Sequence, residues 1–247
     1  PSAYPHTTRV AVRPLTIHPI KLMDPRLHAF EAEIVRHWPL TEWQEVPLLI
    51  AVSGGPDSVA LFRAMHQLAS NRQHSTPVEL HVAHFNHGWR AEASVDHERF
   101  VTELAAQFEV PVHVQRSERP EMKEAAARAE RYAYLRDTAN RLQARFVLLG
   151  HNANDQAETI LHRVIRGTAI RGLSGIPVSR PLGEAQIYRP LLWATRGSVL
   201  EYLGDLGQDY CVDSTYQDVR FTRNRIRHEL LPLLADQYNS GVVQSLI

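Results

Sequence analysis

Apolar residues fall into two recurring patterns along this chain. Leu48-Leu49-Ile50-Ala51-Val52 and Phe146-Val147-Leu148-Leu149 are short unbroken runs, the pattern of a strand covered on both faces. Residues 78–85 and 110–114 read as further strands. Between these runs apolar positions recur at helical spacing: Val59, Ala60, Leu61, Met65 and Leu68; then Phe100, Val101, Leu104 and Phe108; then Ile160, Val164 and Ile165. Residues 121–144 are dense in good helix formers. An earlier helix through Leu27, Phe30, Ile34 and Trp38 is expected to start at Asp24, with Pro25 in its first turn. Strands that alternate with helices imply right-handed crossovers, hence an α/β fold: an open parallel sheet with helices on both faces.

Beyond Gly167 the pattern loosens into a stretch rich in Gly and Pro, followed by a strand over residues 187–192 and a helix over 195–206. A last helix is predicted over 222–234. Val242-Val243 and Leu246-Ile247 read either as the start of a further element or as a frayed end. At the other terminus Pro1, Pro5, Pro14 and Pro19 oppose a helix. The opening Pro1 suggests a processed or trimmed start, and Arg9 and Arg13 with no acid before Asp24 faintly resemble a transit peptide.

Composition narrows the chemistry. In 247 residues, 44% are hydrophobic and 22% charged, which excludes a disordered chain. Lys and Arg number 27 and so do Asp and Glu, so no global cationic field argues for nucleic acid. The cations are nearly all arginine, Lys21 and Lys123 being the two exceptions; a catalytic lysine has almost no candidates. Cys211 is the single cysteine, which excludes an intrachain disulfide or a cysteine cage held by this chain alone. No stretch approaches the ~20 apolar residues of a membrane-spanning helix.

The first buried run leads directly into Ser53-Gly54-Gly55-Pro56-Asp57-Ser58. Ligands of parallel sheets bind beyond the carboxyl ends of strands. Gly54 and Gly55 let consecutive amides approach an anion, Ser53 and Ser58 add hydroxyls, and the next helix adds its positive end. The alternative is a plain strand-to-helix turn with Asp57 as its N-cap. No Walker lysine follows the glycines, and no dinucleotide fingerprint is present. His81, His84 and His87 recur every third residue, but strand geometry splits them between faces and no fourth zinc ligand is evident.

The six-residue loop resembles the S-G-G-x-D-S signature of PP-loop ATP pyrophosphatases. Further segments follow in order: His84-Phe85-Asn86-His87-Gly88-Trp89-Arg90, Glu124-Ala125-Ala126-Ala127-Arg128 before Arg131-Tyr132, Gly150-His151 before Asp155-Gln156-Ala157-Glu158-Thr159, Arg189-Pro190-Leu191-Leu192, and Arg223-Asn224-Arg225-Ile226-Arg227. Over residues 46–234 the set resembles the catalytic domain of tRNA(Ile)-lysidine synthetases, a Rossmann-like PP-loop fold. The resemblance implies ATP and Mg²⁺ as cofactors, L-lysine and a tRNA(Ile) with a CAU anticodon as partners, and a cytoplasmic ligase. ATP would adenylate the C2 oxygen of the first-anticodon-position cytidine, and the lysine ε-amine would displace AMP. A PP-loop tRNA thiolase and a non-catalytic nucleotide- or RNA-binding module are the alternatives; the lone cysteine opposes the first.

Carried onto this chain, the resemblance implies ATP contacts at Ser53, Gly54, Gly55, Pro56, Asp57, Ser58, His84 and Asn86. Asp57, Asp155 and Glu158 are the candidate catalytic acids, with Asp57 and Asp155 candidates for Mg²⁺. Asp155 and Glu158 lie three apart in a predicted first turn, hence on one face, where acids can equally serve the helix dipole. His87, Arg90, Arg128, Arg131 and His151 are candidates for lysine or other substrate contact; the paired guanidiniums of Arg128 and Arg131 suit a phosphate or a carboxylate. Arg220, Arg223, Arg225 and Arg227 are candidates for tRNA phosphates, with Phe221 as a base platform. Two positions depart from the family: Asn154 precedes Asp155 where a second acid is common, and Tyr216 follows Asp213-Ser214-Thr215 where Asn is usual. The expected organisation is a flexible tail (residues 1–23), a catalytic domain (24–215) and an Arg-rich helical segment (216–247) that begins a tRNA-binding part.

Overall fold

The computed structural model describes residues 27–70, 78–88, 91–118, 124–212 and 222–247. Chain order is α1 (Ala29–His37), β1 (Leu48–Ala51), α2 (Pro56–Ala69), β2 (Leu80–Asn86), α3 (Ala91–Gln107), β3 (Val112–Arg116), α4 (Glu124–Arg141), β4 (Phe146–Leu149), α5 (Ala153–Ile165), β5 (Ser179–Leu182), β6 (Ala185–Tyr188), α6 (Arg196–Asp205), α7 (Thr222–Arg225), α8 (Leu231–Gln237) and α9 (Val242–Leu246). The expected start at Asp24-Pro25 lies outside the described residues. α1 is capped instead by His28, whose Nδ1 accepts from the Phe30 amide at 3.0 Å, while Glu31 accepts from the His28 amide at 3.1 Å.

The six-stranded sheet runs β3-β2-β1-β4-β6-β5. All neighbours are parallel except β5 and β6. This corrects the expected strand over 187–192: β6 ends at Tyr188, because Pro190 cannot donate to a ladder, and it pairs with an antiparallel edge strand. The expectation missed β5 because it is short, half exposed and carries Pro181, features tolerated at a sheet edge.

Period-two alternation along the central strands builds two cores. Leu48, Ile50, Val82 and Leu148 face α1, α2, α3 and α6 on one side; Leu49, Ala83, Val147 and Ile187 face Tyr134, Leu135 and Ala139 of α4 on the other. A third cluster joins Ala157 of α5 to Ile226 and Leu231, with Leu230, Val242, Val243 and Leu246 packed against it. The terminal apolar residues thus form α9 against α5. Residues 222–237 form a continuous helical run with a π turn at Ile226–Leu230; the wider turn precedes Pro232, which has no N–H to give to the preceding turn.

Strand order reverses between β1 and β4, the switch point where a cleft opens beyond the strand ends. The loops following these two strands touch. A Cβ on Gly150 would lie 2.8 Å from the Asp57 carbonyl oxygen and 2.9 Å from its carbon, a backbone approach that no other residue permits. Gly150→Ala should therefore cost about 1–3 kcal/mol. Gly204→Ala, in a helix with open space around it, should be neutral or stabilising by about 0.5–1 kcal/mol. Urea unfolding of both variants checks the contrast.

Candidate active site at the switch point

Gly54 has φ +93°, open to glycine at little cost, and turns the chain out of β1. Gly55 caps α2 without a side-chain hydrogen bond and Pro56 opens the helix, so Asp57 is in the first turn and is not the cap. First-turn amides have no acceptor within a helix, and this end offers them none from a cap. Ser58 braces the loop internally: its Oγ donates to the Gly55 carbonyl at 2.9 Å and accepts from the Ser53 amide at 3.1 Å, with the Ser53 hydroxyl 3.2 Å away. The result is a preformed cradle for an anion. Its outer side leans on Cys211, whose amide donates to the Gly54 carbonyl at 2.9 Å.

From β2, His84 reaches the Val52 carbonyl through Nδ1 at 2.8 Å, so Nδ1 carries the proton. Burial holds its pKa below the usual value, and it supports the loop from behind. Asn86 is spent locally: its amide donates to the Ser94 carbonyl and to Glu98 at 3.1 and 2.8 Å, and its oxygen accepts from the Gly88 amide at 2.9 Å. It shapes the exit of β2.

Across the cleft, Asn152 caps α5 in a capping box with Asp155, accepting from the Asp155 amide at 3.0 Å while Asp155 Oδ2 accepts from the Asn152 amide at 3.1 Å. The Asn152 amide group also donates to Asp57 Oδ1 at 2.7 Å. Sequence reasoning overlooked Asn152; the Asn-x-x-Asp capping spacing was the available signal. Burial raises the Asp57 carboxyl above its ordinary value and the charge of Asp155 adds to this, against the Asn152 hydrogen bond and the more distant Arg196 and Arg227. Asn154, at the position where the sequence resemblance implies a second acid, accepts from the Arg196 amide at 2.9 Å and ties α5 to α6.

Asp155 and Glu158 share a face, as their spacing requires, and that face meets two of the arginines expected to bind tRNA. Arg223 Nε donates to Glu158 Oε2 and its Nη2 to Asp155 Oδ1, both at 2.9 Å. Arg227 Nε donates to Glu158 Oε1 at 2.6 Å, and its Nη2 reaches Asp155 and Glu158 at 3.3 and 3.1 Å. Glu158 is 0% exposed and both its oxygens are taken, so in this arrangement it anchors the C-terminal helical run rather than touching a ligand. Arg225 stays at the surface with Glu229, 3.6 Å away. Arg90 and Arg220 lie outside the described residues, as do Asp213, Ser214, Thr215, Tyr216 and Phe221.

The opposite wall is cationic. Arg128 and Arg131 flank Tyr132 on α4. His151, after β4, has its pKa pushed down to about 3, first by burial and then by Arg189, Arg131, Arg223 and Arg128. His87 is pushed down to about 4 by burial and Arg131. Both rings are therefore neutral near pH 7.

A family model described as a PP-loop domain matches residues 29–234. The chain belongs to the PP-loop family. Its curated relatives include the tRNA(Ile)-lysidine synthase of Symbiobacterium thermophilum, 39% identical over 228 residues that cover 90% of this chain and 46% of the relative. That of Gloeobacter violaceus is 39% identical over 200 residues, covering 81% and 60%. The chain thus spans about half the length of the curated relatives it matches. Among solved structures, the U34-tRNA thiolase NcsA of Methanococcus maripaludis, determined with its 4Fe-4S cluster, shares the fold at TM-score 0.69 and 14% identity, over 88% of this chain and 76% of that one. The Ser53–Ser58 loop lies within the matched residues.

Among the described residues no group of three or more His, Cys, Asp or Glu forms a metal cage. Asp57 and Asp155 nevertheless suit Mg²⁺, which takes one or two carboxylates and completes its shell with water and phosphate oxygens. Two carboxylates close enough for one to raise the other are a donor set that a dication would relieve. Because the folded chain binds the Asp57 proton more tightly than the unfolded chain, ionisation costs stability above the raised pKa and nothing below the ordinary 3.8. Asp57→Asn should accordingly raise the unfolding midpoint at pH 7 in metal-free buffer, a gain that fades as pH falls toward 3.8; thermal unfolding across this range measures it.

Proposed function

We propose that the chain carries the ATP-dependent catalytic part of a tRNA(Ile)-lysidine synthase. One observation carries this reading beyond the names of its relatives: an uncapped phosphate cradle lies at the switch point beside the linked Asp57, Asn152 and Asp155, opposite a cationic wall. In the first step the C2 oxygen of a cytidine attacks the α-phosphorus of ATP and pyrophosphate leaves. Amides of the Ser53–Ser58 loop and the N-terminal end of α2 receive the pyrophosphate charge. Magnesium, when bound at Asp57 and Asp155, would neutralise part of that charge.

In the second step the lysine ε-nitrogen attacks C2, the C2–O bond breaks and AMP leaves. The attacking amine must first lose a proton. Asp155, whose side chain is 14% exposed against 0% for Glu158, is the carboxylate proposed to attract the ammonium and accept that proton, exchanging its contacts with Arg223 and Arg227 for the substrate; Glu158 acts through Arg223 and Arg227 by holding α5 and the C-terminal helical run together. His87, Arg128, Arg131 and His151 form the wall against which the RNA or the amino acid is placed, and Arg90 remains a candidate for the same contact. Arg220 and Arg225 remain candidates for tRNA phosphate contact.

The partners proposed are a tRNA(Ile) with a CAU anticodon and free L-lysine. Among the described residues no helix is long and apolar enough to cross a membrane; the site of action proposed with this substrate is the cytoplasm. A thiolase of the cluster-bearing kind needs several cysteines; here Cys211 stands alone, its thiol raised by burial and by Asp96, an unreactive state.

The test supplies labelled ATP, a CAU-anticodon tRNA transcript and lysine, and follows AMP and lysine incorporation. AMP release that depends on both RNA and lysine is expected. Asp155→Asn should reduce it by about 100-fold or more. Full turnover by that variant removes Asp155 from the chemistry, and wild-type binding of ATP without AMP release contradicts the ligase reading.

A further inference from the structure

After Gly167 the chain turns back along α5. A short 3₁₀ helix at Ile170–Ser174 and the residues after it are held to α5 by side chains of that helix. Arg163 Nη1 donates to the Gly172 and Gly175 carbonyls, both at 2.9 Å. Gln156 Nε2 donates to the Ile176 carbonyl at 3.2 Å, and its side-chain oxygen accepts from the Ile176 amide. The return segment therefore comes back to the start of α5, beside the residue that directly follows Asp155.

This braced segment presents apolar side chains to solvent. Ile170 is 86% exposed, and Val164, Ile165, Leu173 and Val178 are exposed with it. Apolar side chains grouped in one exposed stretch and held in place mark a contact surface. Residues 159–183 contain no acid and carry Arg163, Arg166, Arg171 and Arg180, so the partner suited to this surface is a polyanion that also offers apolar faces. Single-stranded RNA is such a partner. An acidic protein or an anionic lipid surface matches the charge, but the segment leads to Asp155, where the proposed reaction needs a cytidine. That base must leave the stack of its loop before its C2 oxygen can reach an α-phosphorus. Aliphatic side chains inserted at a base step hold such a gap open.

We infer that Ile170 and Leu173 form an apolar wedge for the bases that flank the target cytidine of the RNA substrate, with Arg166, exposed at the end of α5, for a backbone phosphate. This rests on the reading of RNA as substrate and adds how the reacting base is taken from its stack. Arg163 is a positioning residue, because its two carbonyl contacts hold the wedge against α5. The sequence expectation read this stretch only as loop rich in Gly and Pro.

The experiment titrates the 247-residue chain across a salt series with an RNA stem-loop bearing a CAU anticodon, in which 2-aminopurine replaces the adenine after the target cytidine. The fluorescence of this base rises when it loses its stacking neighbour, and wild-type binding should raise it. The double variant Ile170→Ala, Leu173→Ala, with its fold confirmed by thermal unfolding, should bind roughly tenfold more weakly and without the rise. Its slope of log K against log salt should stay as in the wild type, because an apolar contact releases no counterion. Arg166→Gln should instead reduce that slope by about 0.7–0.9, the loss of one phosphate contact. Ile170→Leu, which keeps the apolar surface, should keep both affinity and fluorescence rise. Unchanged RNA affinity and an unchanged rise in the double variant overturn the wedge. So does an effect confined to binding of phosphatidylglycerol vesicles or to self-association of the chain, which reassigns the surface to a membrane or to a second copy. A wild-type chain that releases no AMP and binds no RNA removes the ligase reading and the wedge together, whereas an active wild type with an indifferent double variant removes the wedge alone.

Discussion

A carboxylate wholly out of water must be paired, and Glu158 is the point from which the site is organised. Its two oxygens accept from Arg223 and Arg227, so the C-terminal helical run cannot leave α5 without stranding a buried charge. The same guanidiniums reach Asp155. Asp155 closes the capping box with Asn152, and Asn152 holds Asp57 in the first turn of α2. One connected chain of polar contacts therefore runs from residue 227 to the phosphate loop, across parts of the sequence that share no local pattern.

The cleft is electrostatically divided. Acids, two of them paired with Arg223 and Arg227, lie with the Ser53–Ser58 loop toward α2 and α5; further guanidiniums, Arg128, Arg131, Arg180 and Arg189, lie toward α4, β5 and the end of β6. His151 stands at the boundary and is kept neutral by burial and by the arginines around it. Such a division suits the reaction proposed for it, which must place a polyanion, a cationic amine and a metal ion within one cleft. Balanced net charge is what averaging over the two halves produces, so it carries no information about whether the chain binds nucleic acid.

Much of this was readable from residue pattern. The double-sided runs at residues 48–52 and 146–149 became the central strands, and the loop between β1 and α2 was placed correctly because glycine, proline and position after a buried strand agree. The β5–β6 hairpin was missed because an edge strand with Pro181 carries no strand pattern. The partnership of the 223/227 arginines with the 155/158 acids was also missed. Spacings of four and three put each pair on one helix face, but nothing in the sequence says that those faces meet. Asn152 was overlooked for a different reason: the Asn-x-x-Asp spacing marks it as a helix cap, but nothing in the sequence marks its second use as the brace of an acid from another element.

A double-mutant cycle on Glu158→Gln and Arg227→Gln, read by urea unfolding, bears most directly on the claim that the buried acid and the C-terminal helical run are one unit. Arg227→Gln alone should cost about 3 kcal/mol, because it leaves Glu158 undercompensated. The double variant should cost clearly less than the sum of the two single ones, with a coupling of about 1–3 kcal/mol. Losses that add to within about 0.5 kcal/mol would contradict the claim.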